Sequence, residues 1–172
     1  NEGKFPNGLE VEVKANLAKV EEVMQGGFGN RNDPLLLSVR SGARTSMPGM
    51  MDTVLNLGLN DETVEGLLKK TANPRFAYDS YRRFIQMYSN VVLEIDAAVF
   101  EKLLEEQKEK KGVRLDCELD HDDLKELVHR FKREVKNQLG HDFPTDPWKQ
   151  LWEAIGAVFR SWNTRRAIEY RR

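Results

Sequence analysis

The stretch LLLSVRSGARTSMPGMMDTVLNLGL, residues 35–59, decides the architecture. Leu35 to Arg40 is a short, mostly apolar run of strand length with turn chemistry on both sides. Alternation along a strand puts Leu35, Leu37 and Val39 on one face, suited to a core, and Leu36, Ser38 and Arg40 on the other. That second face becomes more polar toward its carboxyl end, where α/β-type sheets tend to place ligands. A loop of small residues follows at 41–50. Residues 51–59 then alternate as Val54/Asn56/Gly58 and Leu55/Leu57/Leu59, which predicts a second strand.

Upstream, residues 1–8 are polar with Gly and Pro and read as a lead-in. Val13, Leu17, Val20 and Met24 recur at helical spacing, predicting an amphipathic helix that ends at Gly26 and Gly27. Downstream of residue 60 the pattern is helical throughout. Asn60, Asp96 and Asp146 are N-cap residues, and Pro74 and Pro147 fit first helical positions. The apolar stripes run through Val64, Leu67 and Leu68; Ala77, Tyr81, Phe84, Tyr88 and Val91; Val99, Phe100, Leu103 and Leu104; Leu124 to Leu139; and Trp148 to Trp162. The expected class is α+β, predominantly α. An α+β unit spans 1–59, a helical subdomain 60–145, and a C-terminal helix, 146–172, returns toward the first unit.

Composition narrows the function. There are 172 residues with 40% apolar side chains, and 27 Lys+Arg stand against 28 Asp+Glu, a net charge of −1. That is enough to bury a core, and the balance argues against a surface built for nucleic acid or anionic lipid. No run approaches the ~18 apolar residues of a membrane span. The single cysteine, Cys117, makes no internal disulfide, and it fits a reducing, cytoplasmic compartment. The chain opens on Asn1 and closes on Arg171 and Arg172 within a helical pattern, so a piece of a longer protein is expected.

Candidate chemistry is concentrated in the loop at 41–50. It brings Gly42 and Gly49, the hydroxyls of Ser41, Thr45 and Ser46, and the flanking Arg40 and Arg44 into one short segment. Glycines let backbone amides approach an anion, and arginine offers a fixed fork for phosphate oxygens. The segment is neither a Walker A loop nor a GxGxxG, and an ordinary strand connection with solvated arginines has the same composition. In the helix after Pro74, Arg82 faces outward beside Asp79 at i−3, while Arg83 lies at the edge of the buried stripe and reaches toward a cleft. The acids at 120–123 suit a helix first turn and not a metal. His129 and His141 lack partners at ligand spacing, Cys117 lacks a nearby base, and no Ser/His/Asp set exists. The arginines near the C-terminus read as a solvated basic end.

The string at 35–67 resembles the nucleotide-binding domain of the pyruvate phosphate dikinase family. The resemblance continues through NPRFAYDSYRRFIQMYSNVV (73–92), DLKELV (123–128), FPTDPWKQL (143–151) and AVFRSW (157–162). It implies part of an N-terminal ATP-grasp-like fold with an inserted helical bundle. It also implies a phosphotransferase that converts ATP, phosphate and pyruvate into AMP, pyrophosphate and phosphoenolpyruvate through a phosphohistidine on a separate domain. Arg40, Gly49, Thr53 and Arg83 match the family's phosphate-contacting positions, and no catalytic residue or metal ligand falls in this chain. ATP and Mg2+ are the implied substrate and ion of the parent protein, the phosphohistidine domain its partner, and a homodimer its assembly.

The family's glycine-rich lysine segment and its acidic magnesium ligands lie outside these residues. The isolated chain is therefore expected to be inactive. Arg165 stands where the family usually has proline. The rival reading is a non-catalytic helical interaction module docking through its Trp-bearing helix.

Overall fold

A computed structural model describes residues 5–42 and 49–171; Arg44, Thr45 and Ser46 of the candidate loop lie outside them. The first helix, α1, is Leu9–Met24. Its predicted stripe is only partly used: Leu17 is buried, whereas Val20 and Met24 are exposed. The helix ends one residue earlier than expected, on Gln25 in the left-handed region (φ 53°), whose amide returns to the Glu21 carbonyl. Gly27 instead enters a strand, because the Glu21 carboxylate accepts from the Phe28 amide at 2.7 Å and pulls the chain back along the helix end.

The run at 35–40 is divided between two small sheets. β1 (Gly27–Phe28) pairs in parallel with β2 (Pro34–Leu35). β3 (Leu37–Arg40) pairs antiparallel with β4 (Thr53–Leu57). In β3 the expected alternation holds, with Leu37 and Val39 half-buried and Ser38 and Arg40 exposed. In β4 it fails. Val39 faces Val54 and Leu37 faces Leu57, so two residues of β3 span three of β4. Asn56 takes up the extra residue with φ 58°, forming a bulge that returns Leu57 to the side of Val54. Val54 and Leu57 are thus both fully buried and Leu55 is exposed.

The helices after residue 60 follow the sequence closely. α2 (Thr63–Thr71) starts under Asn60, whose side-chain oxygen accepts from the amides of Glu62 and Thr63. Gly66 of this helix packs so tightly on the 26–34 segment that a Cβ would meet the Arg31 carbonyl oxygen at 2.3 Å. α3 (Pro74–Val91) is capped by Asn73, and its Ala77, Tyr81, Phe84 and Tyr88 are fully buried. α4 (Ala97–Lys111), capped by Asp96, and α5 (His121–Leu139), capped by Asp120, pack together through the edge-to-face rings of Phe100 and Phe131, 5.1 Å apart.

α6 (Pro147–Ser161) opens on Asp146 and runs antiparallel to β4. Gln150, near its start, accepts from the Gly58 amide, and Ser161, at its end, accepts from the Asp52 amide. Phe159 and Trp162, on the predicted apolar stripe, are exposed. The helical pattern then breaks, because α7 (Arg165–Tyr170) is a separate short helix after a turn at 162–164. One apolar core joins the hairpin to the helices: Val54, Leu57 and Leu59 belong to the same cluster as Phe84, Tyr88, Leu151 and Ala154. The class is α+β, mostly α, and no helix among the described residues is long and apolar enough to cross a membrane.

Candidate phosphate-binding site

Arg40 ends β3 directly opposite Thr53, the first residue of β4. Both are exposed, at the end of the hairpin where the chain between the two strands connects them. The Arg40 side chain makes no hydrogen bond or ion pair with any described residue, while Ser41 beside it is engaged. Gly49 has φ +72°, and a Cβ built there would touch nothing within 4 Å, so its backbone faces open space in a conformation that favours glycine. Arg40, Thr53 and, four residues before Thr53, Gly49 thus share one end of the fold.

That end is fixed from behind by residues with no local signal in the sequence. The Asp52 amide donates to Ser161 Oγ at 3.1 Å, and the Asp52 carboxylate pairs with Arg166 of α7. Ser161 Oγ in turn donates to the Val158 carbonyl. The basic C-terminal side chains stay largely exposed, as expected of a solvated end, while pairing within the chain. Arg160 reaches Glu94 and the Val92 carbonyl, Arg165 pairs with Glu169, and Arg171 lies 4.0 Å over the Trp162 ring.

Arg83 stands apart from this group. It lies one helical turn before Met87, whose sulfur receives the Leu55 amide. Tyr81, near Arg83, reaches Asp61 beyond the far end of β4, so Arg83 lies farther along α3 from the Arg40–Thr53 end than Met87 does. The expected roles of the two arginines are reversed in burial. Arg82 is the interior residue, with its side chain 4% exposed and paired to Asp79 at 2.5 Å, whereas Arg83 is 65% exposed. The cause is the 3₁₀ turn at Asp116–Glu118, which covers this face of α3 and brings Asp116 within 3.7 Å of Arg82. Asp79 holds both arginines at once: Oδ1 meets Arg82 and Oδ2 meets Arg83 Nε at 3.0 Å.

The acids at 120–123 behave as expected. Asp120 accepts from the amides of Asp122 and Asp123, and the Asp123 carboxylate accepts from the Asp120 amide. Lys111, paired to both carboxylates, holds the Asp120 carboxyl well below its ordinary range. No three carboxylate, histidine or cysteine side chains among the described residues group around a possible metal position.

Two of the three tryptophans of the Trp-bearing helix pack on rings elsewhere in this chain. Trp148 meets Phe28 edge-on at 5.8 Å and Trp152 packs on Phe5 at 5.8 Å. Phe5 therefore also draws the lead-in onto the fold.

Comparison with known proteins extends over the whole chain. Residues 2–172 match the family model described as pyruvate phosphate dikinase, AMP/ATP-binding domain. The chain is 56% identical to pyruvate, phosphate dikinase of Clostridium symbiosum over 174 residues, covering 100% of this chain and 20% of that protein. It is 54% identical to pyruvate, phosphate dikinase of Entamoeba histolytica, covering 100% of this chain and 19% of the relative. Against the chloroplastic pyruvate, phosphate dikinase 1 of Zea mays it is 54% identical over 97% of its length, and covers 18% of that protein. The chain thus spans about a fifth of these relatives' length. Nothing in the matches favours an interaction module. With its hairpin and helices carrying the family's strings from one end to the other, the chain belongs to the family of the pyruvate phosphate dikinase AMP/ATP-binding domain.

Proposed function

We propose that this chain grips the phosphates of ATP in a phosphotransferase that forms phosphoenolpyruvate, AMP and pyrophosphate from pyruvate, ATP and phosphate through a phosphohistidine carried outside these residues. The observation that carries this reading is Arg40: an exposed guanidinium without a side-chain partner among the described residues, paired across the hairpin with Thr53, the first residue of the strand that Asp52 anchors to α6 and α7. A planar cation on a fixed strand end offers paired donors to phosphate oxygens. Thr53 adds a hydroxyl, and the open backbone at Gly49 lets a phosphate approach. Arg83 is the second cation, held on α3 for a more distant part of the same triphosphate. In phosphoryl transfer such groups stabilise developing negative charge without forming covalent bonds themselves.

The same reading places the hairpin in an ATP-grasp-like unit, with the bundle as an inserted subdomain. The parent is a cytoplasmic homodimer whose phosphohistidine domain meets this one during turnover. The residues present do not fit a magnesium site, since the carboxylates at 120–123 cap α5 and pair with Lys111. Any metal that accompanies ATP takes its ligands outside the described residues.

The test is Arg40→Ala in the full-length protein that carries this chain. Because Arg40 is exposed, stability should change by no more than about 0.5 kcal/mol. ATP-dependent turnover should fall by about 100-fold or more. Turnover within twofold of wild type would overturn the reading.

A further inference from the structure

We propose that Asp79 is a positioning residue for Arg83, fixing the direction in which this guanidinium meets the nucleotide; the inference rests on the phosphate-binding reading of Arg83. An exposed arginine on a helix samples many rotamers, and a phosphate must immobilise it on binding. Here that freedom is already restricted. Asp79 is 14% exposed and bridges two cations, with Oδ1 on Arg82 at 2.5 Å and Oδ2 on Arg83 Nε at 3.0 Å.

The anchor behind Asp79 is rigid. Arg82 is buried, donates to Gln86 Oε1 at 3.3 Å and lies 3.7 Å from Asp116. Gln86 in turn donates to Glu101 of α4 at 2.5 Å, and Asp116 pairs with Lys108 of the same helix at 3.3 Å. The carboxylate of Asp79 is therefore tied through Arg82 to α3, α4 and the turn at 116–118. Its outer oxygen is the point against which Arg83 is set. The contact is made at Nε, on the inner side of the guanidinium, and two-thirds of the Arg83 side chain stays open to solvent. That arrangement suits an arginine that must present its outer nitrogens to an anion.

A purely structural role for Asp79, neutralising buried Arg82, makes a different statement: its loss would be felt equally whether or not Arg83 is present. A double-mutant cycle separates the two. In the full-length protein, Asp79→Asn, Asp79→Glu, Arg83→Ala and the two combinations with Arg83→Ala are assayed for kcat and KM for ATP, with thermal unfolding alongside. Asp79→Asn leaves Arg82 short of a charge and will lower the melting temperature. Asp79→Glu keeps the charge for Arg82 but displaces the outer oxygen, and stands in if the asparagine variant fails to fold.

The expected result is that Arg83→Ala lowers kcat/KM for ATP by roughly tenfold or more, and that each Asp79 substitution lowers it severalfold when Arg83 is present and less than twofold when it is absent. Equal losses in both backgrounds, or no loss with Arg83 present, would overturn the positioning role while leaving the phosphate contact of Arg83 intact. An Arg83→Ala protein with wild-type kcat and KM would remove that contact itself, and the role of Asp79 with it.

Discussion

Gln150 shows how one buried polar side chain decides where the hairpin sits. It is fully buried, accepts from the Gly58 amide at 2.9 Å, and donates to the carbonyls of Leu59 and Pro144 at 2.9 and 2.8 Å. Three backbone groups from two loops are satisfied by one amide. Gln150→Leu keeps the volume and strands all three, so it should cost about 3 kcal/mol in urea unfolding; a loss of about 1 kcal/mol or less would show that water replaces the amide. Nothing in the sequence around Gln150 announces this, because its partners lie up to 92 positions away. The same limit explains the misread arginine pair. Helical geometry placed Asp79 beside Arg82, as observed, but the turn at 116–118 that buries Arg82 is a tertiary event. Arg40, by contrast, was legible, since alternation alone puts it on the exposed face at a strand end.

At the scale of elements, α2 to α6 are readable because each follows a polar or proline start signal and carries its own apolar stripe. Of the strands, the runs at 35–40 and 51–59 are readable, and only as strands; β1, inside the segment read as a helix stop, is not. Their pairing, the separation of Leu35 from Leu37, and the bulge at Asn56 depend on partners far along the chain. The C-terminal break gives a sharper case. Arg165 occupies the first position of α7, after Thr164 in an extended conformation (ψ 151°), which is the setting that proline favours. The departure from the family's usual proline therefore leaves the turn in place. Arg165→Pro removes only the exposed pair with Glu169, worth a few tenths of a kcal/mol, and should leave stability unchanged or raised by up to about 1 kcal/mol. A melting temperature several degrees lower would contradict the assignment of Arg165 as the first helical residue.

For the molecule as a whole, the core contains tyrosines whose hydroxyls end on carboxylates. Tyr88 donates to Glu153 at 2.7 Å and Tyr81 to Asp61 at 3.1 Å, and both rings are fully buried. Burial first, and then the neighbouring carboxylate, pushes both phenols well above 10. In the unfolded chain they ionise near pH 10, whereas the folded chain keeps them protonated. The unfolded state thus binds fewer protons above that pH, and stability falls as pH rises. Tyr78, which donates to Glu65 at 2.8 Å and is pushed up to about 12, adds to these two between pH 10 and 12. The expected slope is about 1.4 kcal/mol per pH unit for each tyrosine, and Tyr88→Phe should lower it by about a third in that range. Alkaline unfolding that starts well below pH 10, or a slope unaffected by Tyr88→Phe, would contradict this account of the core.

The chain on its own should bind Mg-ATP no more tightly than about 1 mM, because the proposed site rests on Arg40, Gly49, Thr53 and Arg83 alone; a tight stoichiometric complex by calorimetry would contradict that. The measurement that bears most directly on the central claim is a structure of the full-length protein with ATP bound. A phosphate oxygen is expected within hydrogen-bonding distance of the Arg40 guanidinium, next to Thr53 at the loop end of the hairpin. A nucleotide seated elsewhere, with Arg40 turned to solvent, would contradict it.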